Sequence, residues 1–167
     1  MKVWLVISIL FFSSNSLAKC EEQGFRQFDF WLGDWSVTSV GGLESGRNRI
    51  TREYDGCVIK ESYTTELGYR GESINIYDAS THRWHQTWVD NSGLLLQLDG
   101  KFHEGKMVLQ GDRINAAGIK VTDKITWTAN PDGTVRQVWQ SKQGADKWQI
   151  VFDGLYKKET GNEKTDY

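Results

Sequence analysis

The sequence predicts an all-β fold: an antiparallel meander of about ten strands closed into a barrel, with a short helical plug at its N-terminal end. Three observations carry this reading. Alternating runs of apolar and polar residues recur about every ten residues from Trp35 to Lys157. The stretches between them are turn signals. No segment shows sustained helical periodicity, and the single proline, Pro131, stands in a turn. A meander with one apolar face exposes unpaired edges unless it closes, which argues for a barrel.

The chain opens on a targeting segment. Lys2 precedes an apolar run over residues 3–12, then polar residues 13–16, and Ser16-Leu17-Ala18 places small residues where a signal peptidase reads. The run is well short of the ~20 residues that a membrane span needs. Cleavage after Ala18 is expected, leaving residues 19–167 as a single domain, periplasmic or secreted, with no integral membrane segment. Lys19 stands where a lipidation signal at Cys20 would want a small residue. The two cysteines, Cys20 and Cys57, would meet an oxidising compartment and pair with each other.

Residues 28–35 read FDFWLGDW. The run is too apolar for an exposed loop and too short for an ordinary helix. It reads as a helical turn that covers one end of the sheet, with Gly33 at the bend and Trp35 opening the first strand. Strands are expected over residues 35–40, 48–54, 57–65, 72–77, 83–90, 94–99, 106–110, 119–128, 134–141 and 147–157. Asp55-Gly56 is a hairpin signal. Asn91-Ser92-Gly93, Asp99-Gly100 and Pro131-Asp132-Gly133 are further turns, and residues 115–118 and 143–146 are looser loops.

Period two then sorts the faces. Trp148, Ile150, Phe152, Gly154 and Tyr156 share one face, as do Ile119, Val121, Ile125 and Trp127. Leu94, Leu96 and Leu98 form a third stripe, and Met107 with Leu109 a fourth. The other inner faces mix aromatic and polar residues. Trp84, Gln86 and Trp88 alternate on one strand, Cys57, Ile59, Glu61 and Tyr63 on another, Ile50, Arg52 and Tyr54 on a third, and Val135, Gln137 and Trp139 on a fourth. An aromatic-lined cavity with a few convergent polar groups is what a small-molecule site looks like. The candidate ligand-binding residues are therefore Trp84, Gln86, Trp88, Gln137, Trp139, Glu61, Tyr63 and Arg52. The alternative for the same pattern is a filled core in which these groups satisfy one another.

Other chemistries find little support. The formal net charge of −2, with no basic block, argues against a nucleic-acid partner. His82 and His85 lie three apart and face opposite sides of a strand, which is poor geometry for shared metal ligation. No metal site and no cofactor is expected. Glu61 and Asp90 would suit acid–base work if they met in the cavity.

The motifs resemble a known bacterial family. They are residues 28–35, Gly46-Arg47-Asn48-Arg49-Ile50, Asp55-Gly56-Cys57, Tyr77-Asp78, residues 84–90, Pro131-Asp132-Gly133 and residues 151–156. Together they look like the "domain of unknown function 1579"-type lipocalin-like (calycin-like) domain, over nearly all of residues 19–167. Gly33-Asp34-Trp35 also matches the Gly-x-Trp that opens such barrels. The resemblance implies a calycin barrel and no established activity. The chain looks distantly like nitrobindin-type haem barrels too, but those use a late histidine and none follows His103 here.

Three functions follow as expectations. The first is an exported barrel that binds a small, partly hydrophobic molecule. The second is an enzyme in the same cavity, an isomerase, cyclase or hydrolase of small organic acids, marked by a raised carboxyl pKa. The third is a structural or interaction barrel with a filled core.

Overall fold

The structure, a computed structural model, describes residues 20–41 and 45–159. The expected signal segment lies outside the described residues. A short helix α1, Gln23–Arg26, and a 3-10 turn at Asp29–Trp31 precede ten strands. These are β1 Gly33–Ser39, β2 Ser45–Glu53, β3 Val58–Thr65, β4 Arg70–Asp78, β5 Arg83–Asp90, β6 Leu95–His103, β7 Lys106–Ile114, β8 Lys120–Ala129, β9 Val135–Gln143 and β10 Gln149–Lys158. Each pairs antiparallel with its neighbours in chain order, and β1 closes on β10. The predicted closed meander barrel is what forms.

Side chains alternate across each strand, and the inward set makes the core. The expected turn at Asp99-Gly100 does not form. β6 runs on to His103, and the chain reverses at Glu104 and Gly105, both at positive φ. Gly100 is needed inside the strand for a different reason: a Cβ there would stand 1.9 Å from the Val108 carbonyl oxygen on β7.

The plug closes one end. Phe28 stacks on Trp31 at 4.8 Å between ring centres and meets Trp84 and Trp127 edge-on. Phe28, Trp31, Trp35, Trp84 and Trp127 are all buried. Gly33, at φ 135°, turns the chain from the plug into β1. The Trp35 indole then donates back to the Trp31 carbonyl at 2.9 Å. The basic residue over Trp35 is Lys158, whose Nζ lies 5.3 Å from the indole centre, while Arg136 is paired with Asp153. Cys20 and Cys57 form the expected disulfide, and Arg26 donates to the Gly56 carbonyl at 2.8 Å beside it. Disulfide, plug and the 3-10 turn Tyr54–Gly56 therefore sit at one end of the barrel.

The opposite end carries the β3–β4, β5–β6, β7–β8 and β9–β10 turns. Here two expectations fail. Trp148 and Ile150 do not face inward, because Val151 is an extra residue in β10 between Ile150 and Phe152. The bulge inverts the alternation ahead of it. Ile150 is 63% exposed, and Trp148 lies outside between Lys124 and Lys142. Ile119 also points to solvent, since it belongs to the turn before β8.

Candidate ligand-binding cavity

A cavity of about 200 Å³ lies inside the barrel toward its unplugged end. Its walls come from β3, β5, β6, β8, β9, β10 and the β3–β4 turn. Tyr63, Tyr69, Trp88, Trp139, Phe152 and Tyr156 supply six rings, Leu96, Ile125 and Val151 the aliphatic part, and Glu61, Gln86 and Gln137 the polar part. Glu61 is the one charged residue in that lining, and no basic side chain is among it.

Of the residues expected from sequence, Glu61, Tyr63, Gln86, Trp88, Gln137 and Trp139 stand together on this wall. The other two stand elsewhere. Trp84 is inside the barrel but at the plug, where its indole donates to Gln27 at 3.1 Å. Arg52 ends its strand at the plug and pairs with Asp29 at 2.5 Å. Asp90 does not reach Glu61. It sits at the cavity mouth and accepts from the Tyr69 hydroxyl at 2.7 Å and the Trp88 indole at 3.1 Å. Burial pushes its carboxyl up, but these bonds and those from Ser92 outweigh it and hold it at about 2.

The polar floor is a continuous network. Glu61, 3% exposed, accepts from Asn48 Nδ2 at 2.6 Å on one oxygen and from Ser73 Oγ at 2.7 Å on the other. Burial pushes its carboxyl up to about 7 against these two donors. Asn48 also reaches the Tyr156 hydroxyl at 3.4 Å, and that hydroxyl donates to Gln137 Oε1. Burial and the nearby Glu61 charge push the Tyr156 phenol well above its ordinary range.

Beside it, Asn75 donates to the Ile59 carbonyl at 3.1 Å and to Ser73 at 2.9 Å. The Ile59 carbonyl can only accept, so it fixes which way the Asn75 amide points. Asn75 Oδ1 then accepts from Gln86 Nε2 at 2.8 Å. That leaves Gln86 Oε1 buried with no partner among the described residues.

A second buried carboxylate holds the other tryptophan. Asp123, 1% exposed, pairs with Arg113 at 2.7 Å and accepts from the Trp139 indole at 2.8 Å and from Ser141. So both cavity indoles direct their N–H groups to carboxylates.

Alternation had put Gln86 and Glu61 inside. It did not single out Asn48, Ser73 and Asn75, although they share parity with Ile50 and Tyr77 on their own strands. Tyr69 lies in a turn, where period two says nothing. The histidines take outer positions: His85 bonds Asp99 at 2.9 Å and Thr87 at 3.0 Å, and His82 meets the Tyr77 hydroxyl at 3.1 Å. No cluster of three or more metal-ligating side chains occurs among the described residues. No helix among them is long and apolar enough to cross a membrane.

Compared with known proteins, the chain matches no family model and no curated protein.

Proposed function

We propose that the protein is an exported barrel that binds one small, partly hydrophobic molecule in the cavity at its unplugged end. The observation that supports this most is the cavity itself, walled by six rings over a hydrogen-bonding floor. A cavity of ~150 Å³ lined by apolar side chains takes up benzene. At about 200 Å³ this one suits a single ring with a small substituent, below the size of most drug-like sites. The same cavity weighs against a filled structural core. Export rests on the leader pattern of residues 1–18, and the lipocalin-like family on the motifs quoted above.

The test is native mass spectrometry of protein recovered outside the cytoplasm, followed by tryptophan fluorescence with one-ring compounds. A chain beginning at Lys19 with a retained small molecule is the expected result. A leader still attached removes the export half of the reading. Failure of every compound to change the fluorescence or bind removes the other half.

One observation favours a second reading, catalysis in the same cavity. A carboxyl near 7 trades its proton readily at neutral pH. Glu61 would then be the general acid or base of an isomerase, cyclase or hydrolase. Glu61→Gln would abolish turnover and leave the wall intact; a variant that still turns substrate over rules this reading out.

A further inference from the structure

The geometry points to a cavity made for a small planar organic cation, a protonated nitrogen base on one ring, seated against Trp88 and Trp139 with its N–H groups on Gln86 and Glu61. This rests on the binding reading above and specifies the ligand's charge.

Four observations carry it. The lining holds one acid and no base, so the cavity has nothing to neutralise an anion. Gln86 lines the cavity, and its Oε1 is buried and lacks a donor among the described residues. A buried acceptor without a partner is costly, and a ligand N–H removes that cost. The amide cannot simply be turned round, because the Ile59 carbonyl and Asn75 fix its orientation.

The third observation concerns the rings. An indole face attracts cations, best when water is excluded. The Trp88 N–H is bonded to Asp90 and the Trp139 N–H to Asp123. Each bond pushes electron density into the ring and makes its face more negative. The fourth is the carboxyl on the floor. Both Glu61 oxygens already accept one bond each, from Asn48 and Ser73, and each keeps a second lone pair. The titratable groups that face it are Tyr63 on its own strand and Tyr156 on β10, and neither brings positive charge. A cation is therefore the partner that lets Glu61 ionise inside the barrel.

Three isosteric probes separate the possibilities by isothermal titration calorimetry on the chain from Lys19 onward: benzamidinium, neutral benzamide and anionic benzoate. Benzamidinium is expected to bind at least tenfold tighter than benzamide, with no measurable benzoate binding. Because the cation ionises Glu61, binding should release a proton below pH 7, seen as a heat that changes with the buffer's own ionisation enthalpy. Its affinity should climb with pH up to about 7 and then level off. Glu61→Gln should lose most of this preference and all of the proton release. The wild-type charge series keeps the test decisive should that variant fold poorly. Benzoate binding as well as benzamidinium overturns the inference, and so does benzamide binding equally with no proton released; either leaves the binding cavity standing. If none of the three binds, the binding reading falls with it.

Discussion

Gly71 lies directly against the Trp88 indole across the β4–β5 pair, and a Cβ at 71 would stand 2.2 Å from Trp88 Cζ2. The ring keeps its place on the cavity wall only because residue 71 has no side chain. Gly71→Ala should therefore displace the indole, with a loss of binding at least as large as its loss of stability. A shifted Trp88 fluorescence maximum with weakened ligand binding is the expected result. An unchanged spectrum with full affinity would show that the indole does not line the site.

Trp88→Ala should weaken binding of a one-ring ligand by tenfold or more, since it removes a wall and its cation-attracting face. His85→Ala should leave binding intact, because His85 lies outside on Asp99 and Thr87. The pair of titrations checks the assignment of faces on β5. A reversed pair of results would contradict it.

Glu61 makes stability depend on pH in an unusual direction for a carboxyl. Its folded value is about 7 against 4.5 unperturbed. The folded state thus holds the proton more tightly than the unfolded one, so stability is fullest below about 4.5 and falls as pH rises toward 7. The loss is at most on the order of 3 kcal/mol. Glu61→Gln, which mimics the protonated form, should flatten this slope in denaturant titrations between pH 4.5 and 8. Asp90 titrates lower, with its stabilisation lost only as pH falls toward 2, so it does not blur the window. An equally steep slope in the variant would assign the effect elsewhere.

Trp35→Ala should cost ~3–5 kcal/mol, the usual range for truncating a large buried aromatic. Trp35 is 1% exposed and also donates to the Trp31 carbonyl, so both plug and strand lose a contact. Chemical denaturation measures it, and a change below about 1 kcal/mol would show the plug to be dispensable.

Reducing Cys20–Cys57 should destabilise the fold by about 4 kcal/mol on the loop-closure argument for a separation of 37. The measurement is the denaturation midpoint with and without reductant. Binding should survive in conditions where the reduced protein stays folded, because the bond is at the plug and the cavity at the other end.

Much of the fold was legible because period two is a strong signal when one face is buried. It placed Ile59, Glu61 and Tyr63, and Gln86 with Trp84, inside. What escaped was whatever breaks the period or acts through a partner. The extra residue Val151 turned Trp148 and Ile150 outward with no turn residue to announce it. Gly100 looked like a turn and is a strand residue pressed on β7. Arg52 has inward parity, but Asp29 of the plug claims it, and no local pattern reports a contact 23 residues away. The unpartnered oxygen of Gln86 depends on Asn75, Ser73 and Ile59 acting together, which only coordinates reveal.

The seam between β1 and β10 joins Trp35 to Lys158, nearly the whole described chain apart. Every other strand pair can zip up locally, each hairpin closing a short loop soon after it is made. The last pairing must wait until β10 exists, and until then the growing sheet has two raw edges open to neighbouring chains. The slow and hazardous step of folding is thus the final one. A molecule cut short within β10 would be left as an open sheet prone to recruiting others rather than as a slightly weakened barrel.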